Sequence, residues 1–169
     1  MSNESRYLIR SGPVLDTSGV GFGQVIKINP ALSQGRFSAV EHPIEPGVLI
    51  APVHTHSRED EFTLVLEGRV GALLGDEEVF AGPGDLILKP RGLPHTLWNA
   101  GSGLARILEI ISPAGFEQYF AELMPLLAAR DAQGQPDIGA LMALGAKYGL
   151  VFDMAALPGL LARHGLRLA

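Results

Sequence analysis

From residue 23 to residue 113 the chain is a succession of short β-prone runs, each closed by glycine, proline, asparagine or a charge: "GQVIKINP", "GRFSAVEHP", "GVLIAPVHTH", "EFTLVLEGRVGALLG", "EEVFAG", "GDLILKP", "HTLWNAG" and "ARILEIISP". Strands this short, evenly spaced and punctuated by turn formers, fold as a sandwich or barrel. The turns are well supplied, with 21 Gly and 12 Pro in 169 residues. A hydrophobic fraction of 47% leaves enough apolar material for a real core. "LLGDEEV" reads as a hairpin, with Gly75-Asp76 between two β-prone arms.

The pattern changes after Pro113. "GFEQYFAELMPLLAAR" sets Phe116, Tyr119, Phe120, Leu123 and Leu127 at helical spacing, and Pro125 is expected to kink that helix or start a new one. The aromatic stripe reads as packing against the barrel or a partner subunit. "PDIGALMALGAKYG" gives a second helix, with Asp137 near its start and Gly149 as its stop. "DMAALPGLLARHG" gives one or two short helices, capped at Asp153 and interrupted at Pro158. The expected fold is therefore mainly β, with a barrel over residues 1–113 and a helical C-terminal extension over 114–169.

Composition narrows the function classes. Cysteine is absent, which removes disulfides, thiolate nucleophiles and Cys-type zinc sites. The net charge of −5 and the scattered basic residues argue against a nucleic-acid surface. No apolar run is long enough to span a membrane. The polar start "MSNESRYLIR" lacks a secretory h-region, so a cytoplasmic location is expected.

Chemistry concentrates in "HTHSREDE", residues 54–61. Residues i and i+2 of a strand share a face, so His54 and His56 project together and can meet one metal ion at about 2.0–2.2 Å. Glu61 has the wrong parity for a continuous strand. The polar turn "SRED" resets it, so that Glu61 enters the next strand facing inward with Thr63 and Val65. A third imidazole, His95, follows a rigid approach shaped by Pro90, Gly92 and Pro94. His42, before a proline, reads as a surface residue in a turn. His164 sits near a helix C-terminus, where a cation is favourable.

These segments resemble the cupin superfamily. Its first motif is matched by Gly47, His54, His56, Glu61 and Gly68 in "GVLIAPVHTHSREDEFTLVLEG", with six residues rather than five between Gly47 and His54. Its second is matched at every position by Gly84, Pro90, Gly92, His95 and Asn99 in "GDLILKPRGLPHTLWN". The resemblance implies a cupin jelly-roll barrel with His54, His56, Glu61 and His95 converging on one divalent transition metal ion inside it. Nickel, iron, manganese, zinc, cobalt and copper are not distinguished by this ligand set.

Four protein ligands on a six-coordinate ion leave two positions for dioxygen, water or an organic oxygen ligand. Thr63, Val65 and Leu97 are the inward residues expected to line an apolar substrate pocket. Arg91 is the one candidate for an anion contact, although a solvated loop residue is the simpler reading. The "GFEQYF" tail is similar to the quercetin dioxygenase-like group. That similarity implies metal-assisted oxidation of a small aromatic or enolic substrate, with Glu61 as ligand and base. The alternatives are a metal-containing binding or sensing module without turnover, and a metal-dependent isomerase or decarboxylase. A homodimer is expected, with "YLIRSG" or the apolar C-terminal helices at the interface.

Overall fold

The computed structural model describes residues 8–9, 20–129, 131, 134 and 136–169; "YLIRSG" falls largely outside them. Two sheets face each other. The first contains β1 (Val25–Ile28), β2 (Ser38–Ile44), β10 (Ala105–Ser112), β5 (Asp60–Glu67) and β8 (Leu86–Lys89), in that spatial order and antiparallel throughout. The second is organised on β9 (His95–Asn99). Along its length β9 pairs with β6 (Val70–Leu74), which forms a hairpin with β7 (Glu77–Ala81). It also meets β3 (Val48–Leu49) and β4 (Val53–His56), through Leu49↔Trp98 and His54↔His95.

Alternation decides which side chains enter the barrel. Along β5 the buried positions are Glu61, Thr63 and Val65, while Asp60, Phe62 and Leu64 are only partly covered. β10 buries Ala105, Ile107, Glu109 and Ile111 in the same way, and β8 buries Ile87 and Lys89. The turn after His56 does reset the parity, and Glu61 faces inward. The β6–β7 hairpin closes over Gly75-Asp76, where Gly75 has φ 60°, the conformation a two-residue turn needs at its first position.

The helices are α1 (Pro30–Ser33), α2 (Glu117–Ala128), α3 (Ile138–Lys147) and α4 (Leu157–His164). Asp137 caps α3, its side chain accepting from the Ala140 amide. Pro125 lies inside α2, which continues past it to Ala128, so no new helix starts there. Two details differ from the sequence expectation. Pro158 sits in the first turn of α4, where its missing N–H costs nothing, so it opens the helix rather than interrupting it. The tail also contributes two strands that helical spacing gave no reason to expect. β11 (Leu150–Asp153) pairs with β4, and β12 (Arg167–Leu168) runs parallel to β3.

"GVLIAPVHTH" is likewise not one strand. It breaks between Leu49 and Val53, around Pro52, into β3 and β4. Most of the buried apolar residues form one cluster between the sheets and under α2, including Phe22, Ile44, Ile107, Ile111, Phe116 and Leu123. A smaller cluster of Leu49, Val53, Trp98 and Leu160 seats α4 on the other side of the second sheet.

Gly71 faces Trp98 across the β6–β9 ladder, and a Cβ placed there would overlap the indole ring. Trp98 is fully buried, so the ring and its neighbours must shift to admit a Cβ. Gly71→Ala is therefore expected to destabilise the fold by about 1–3 kcal/mol through overpacking, measured as a lower urea midpoint at unchanged slope.

Candidate metal centre

Four side chains from three strands meet at one end of the barrel. β4 supplies His54 and His56, β5 supplies Glu61 and β9 supplies His95. Each offers one ligand atom, and these atoms lie within 4.8 Å of one another. The imidazole centroids are 4.6 Å apart for His54 and His95, 5.1 Å for His54 and His56, and 5.4 Å for His56 and His95. The direct cross-strand pairing of His54 with His95 makes the approach possible.

The outer edge of each ring is occupied. Nδ1–H of His54 donates to the Pro52 carbonyl and that of His95 to the Leu93 carbonyl, each at 2.8 Å. His56 Nδ1 lies 3.4 Å from Oε2 of the buried Glu59. A carbonyl can only accept, so His54 and His95 carry their protons on Nδ1 and turn a bare Nε2 towards the centre. A hydrogen bond of this kind at the far ring nitrogen orients metal-bound imidazoles. Burial holds His54 neutral, with its pKa lowered to about 3, helped by the neighbouring His95 and His56. Burial also lowers His95, against the pull of Glu61.

The donor set fits a cation. His56 Nε2 is buried and has no hydrogen-bond partner among the described residues. His95 Nε2 stands 3.1 Å from Glu61 Oε2, and His56 Nε2 stands 3.5 Å from Glu61 Oε1. A bare ring nitrogen and a carboxylate oxygen at that distance repel unless a positive charge lies between them. Adjacent ligands on a six-coordinate ion, each at about 2.1 Å, are separated by about 3 Å. The site therefore has the ligand types, tautomers and spacing to hold one divalent ion.

Below the cluster lies a buried network that sequence reasoning missed. Lys89 Nζ donates to Glu61 Oε2 at 3.0 Å and to Glu109 Oε2 at 2.9 Å. Thr63 Oγ1 donates to both Glu109 oxygens at 2.9 and 3.0 Å. Burial alone would raise Glu61, but the Lys89 ammonium acts against it and the carboxyl lies well below its ordinary range. Burial raises Glu109 to about 7, only partly opposed by Lys89. Burial would lower Lys89, yet its two carboxylates win and raise it. The available signal was strand parity, since Lys89 alternates with the inward Ile87.

The cluster opens into a cavity of about 140 Å³ with mostly apolar walls. Leu97 lines it, as do Ile50, Phe116, Phe120, Leu123 and Phe152. Thr63 and Val65, expected on its wall, are buried in the barrel but do not line it. Thr63 is instead committed to Glu109. Phe116 meets His56 edge-on at 4.5 Å, and Phe152 lies 5.9 Å from His54. Thus Phe116, the N-cap residue of α2, and a ring from β11 shield the imidazoles. Ile138, Met142 and Met154 line the cavity and are also exposed, forming its outer rim.

The remaining candidates resolve clearly. Arg91 is engaged by Asp60, with Nη2–Oδ2 at 2.7 Å and Nε–Oδ1 at 3.0 Å, outside the cavity. His164 packs on Trp98 and pairs with Glu78 at 3.2 Å. His42 overturns its reading as a surface turn residue. It lies within β2, is only 1% exposed and lines the cavity. Pro43 does not end the strand, because β2 continues to Ile44 and the Pro43 carbonyl accepts from the Gly23 amide at 3.0 Å.

The fold and site define a two-sheet β-barrel with an internal three-histidine, one-glutamate cluster. Residues 41–111 match the cupin domain family, a span that includes all four clustered residues. The matched span is 71 of the 169 residues. Among curated proteins it is similar to germin-like protein subfamily T member 2 from Arabidopsis thaliana, at 36% identity over 64 residues. That match covers 35% of this chain and 29% of the relative, so the chain spans under a third of its length.

Solved structures share the fold at low identity. A predicted oxalate decarboxylase from Thermotoga maritima superposes with a TM-score of 0.56 at 18% identity, over 63% of this chain and 98% of the other. KdgF from Halomonas sp. gives 0.52 at 21% identity, over 58% and 84%. No described helix is long and apolar enough to cross a membrane.

Replacing Lys89 by methionine would leave two buried carboxylates facing each other. In metal-free protein at neutral pH, Lys89→Met is expected to cost about 3–5 kcal/mol, read from chemical denaturation. The pH dependence has a definite sign. Glu109 already has a folded-state pKa above its ordinary value, so its contribution is full below about 4.5 and is lost as pH rises through about 7. Without the ammonium both carboxyls shift upward, and the deficit should shrink as the pH is lowered from 8 towards 5.

Proposed function

We propose that the protein binds one divalent transition metal ion through His54, His56, Glu61 and His95, and acts as a metal-dependent dioxygenase on a small aromatic or enolic molecule. The observation that carries this reading is the convergence of the four groups, with the histidines anchored at Nδ1, at the base of an apolar cavity. A bound ion would supply Lewis acidity towards a substrate oxygen and, where redox-active, electron transfer to dioxygen. The chain's own residues do the rest. Phe116 and Phe152 restrict water at the imidazoles. The apolar walls bind and orient a weakly polar substrate. Glu61 serves as ligand and accepts the substrate hydroxyl proton.

The cavity lining also ranks the alternatives. Lys89 is its only lysine or arginine among the described residues, and both of its close contacts are to Glu61 and Glu109. Among the described residues no free basic side chain remains on its wall to clamp a small dicarboxylate or a phosphorylated sugar, which disfavours decarboxylase and sugar-phosphate isomerase readings. A binding module without turnover uses the same cavity and is separated by experiment. A homodimer belongs to this reading. It is supported by the exposed Leu86 and Leu88 on the edge strand β8, and sedimentation velocity tests it.

Elemental analysis of purified protein should give about one metal equivalent per chain. His95→Ala should weaken metal affinity at least roughly tenfold and abolish oxygen consumption with a panel of catechols, flavonols and diketones. Glu61→Gln should lose turnover in the same assay. Ligand-induced thermal stabilisation under anaerobic conditions, without oxygen uptake in air, would establish the binding module instead. Metal content unchanged in His95→Ala would refute the ligand assignment.

A further inference from the structure

His42 lies on the inner face of the first sheet, with Ile107 as its partner on β10. Its Nδ1–H donates to the Gly23 carbonyl at 2.8 Å. Since that oxygen only accepts, the ring proton is fixed on Nδ1, and a neutral ring then carries a lone pair on Nε2. Burial keeps it neutral. It lowers the pKa to about 4 against the Gly23 bond, and the positive charge of Lys89 acts in the same direction as burial. Phe22, at 6.1 Å, and Phe120, edge-on at 4.8 Å, flank the ring. Nε2 is fully buried, and no protein group among the described residues donates to it.

A buried acceptor is costly to leave unmatched. His42 borders the same cavity as the metal cluster but is not part of that cluster. The cavity offers few polar groups beside it. Lys89 is held by its two carboxylates, and the remaining walls are mostly apolar.

We infer that His42 is a ligand-recognition residue whose Nε2 accepts a hydrogen bond from a hydroxyl or N–H group of the molecule bound in the cavity. The ligand class is therefore narrower than an apolar compound with a metal-facing oxygen. It carries a second polar group, a donor, set apart from that oxygen. This rests on the cavity being the ligand site, as proposed above, and not on which ion is held there.

The test compares phenol with toluene, near-isosteres that differ in the donor. Binding of each is measured calorimetrically to the parent protein, His42→Phe and His42→Gln, both metal-free and after loading with zinc. The phenol-to-toluene affinity ratio should fall roughly three- to tenfold in His42→Phe and recover in part in His42→Gln, which keeps an acceptor. In parent protein labelled with ¹⁵N-histidine, His42 should show a non-protonated Nε2 whose resonance moves with phenol and stays in place with toluene.

An unchanged ratio in a His42→Phe protein that melts near the parent temperature would overturn the inference. So would a protonated Nε2 in the free protein, an Nε2 resonance that phenol leaves unmoved, or failure of phenol to bind. If His42→Phe does not fold, the resonance measurement on the parent decides. Failure to take up zinc would sink the metal reading alone, because the metal-free arm still tests His42.

Discussion

Inside the barrel, two carboxylates share one ammonium. Glu61 and Glu109 both contact Lys89, and all three are almost completely buried. Taking these charges out of water is costly, and the mutual attraction offsets the cost only where every group is bonded. Thr63 completes Glu109, while Glu61 turns its remaining capacity towards His56 and His95. With all three groups ionised and the imidazoles neutral, this network carries one excess negative charge. A divalent ion at the cluster would outweigh it and leave one excess positive charge. The network below thus explains why Glu61 stays ionised in a dry interior, and ionised is the form a metal ligand requires.

The same network limits what Glu61 can do as a base. A carboxylate held well below its ordinary range is a good ligand but a weak proton acceptor. Accepting a substrate proton therefore demands that the substrate hydroxyl be acidified where it binds. Enols and phenols meet that demand far better than aliphatic alcohols, which agrees with the apolar, aromatic-walled cavity.

Much of the site was legible because strand parity is a strict rule. The spacing of His54 and His56, the parity reset before Glu61 and the rigid approach to His95 all depend on local geometry, and the barrel follows it. His42 and Lys89 were harder to read. Pro43 after His42 points to a turn, against the inward alternation of Val40, His42 and Ile44, and lysine is rarely buried, so the alternation of Ile87 with Lys89 gives little reason by itself to place a charge inside. The strands β11 and β12 had no usable local signal. "LVFD" is four residues between helices, and its pairing with β4 depends on tertiary position rather than periodicity. Thr63 and Val65 were placed on the correct face but too near the cavity, because parity gives direction and not depth.

That tertiary pairing matters for the chemistry. β11 sets Phe152 opposite His54 in the ladder, and α2 sets Phe116 against His56. Without the tail, this end of the barrel would lack both rings, and water would compete for the imidazoles and for any ion they held. With it, the walls around the cluster are apolar, the effective dielectric falls, and each charge there acts more strongly on its neighbours. The tail therefore completes the site although it contributes none of the four clustered residues. The apolar residues that raise the field at the cluster also select for a ligand able to leave water, and the buried Nε2 of His42 gives that ligand one place to be held by a donor.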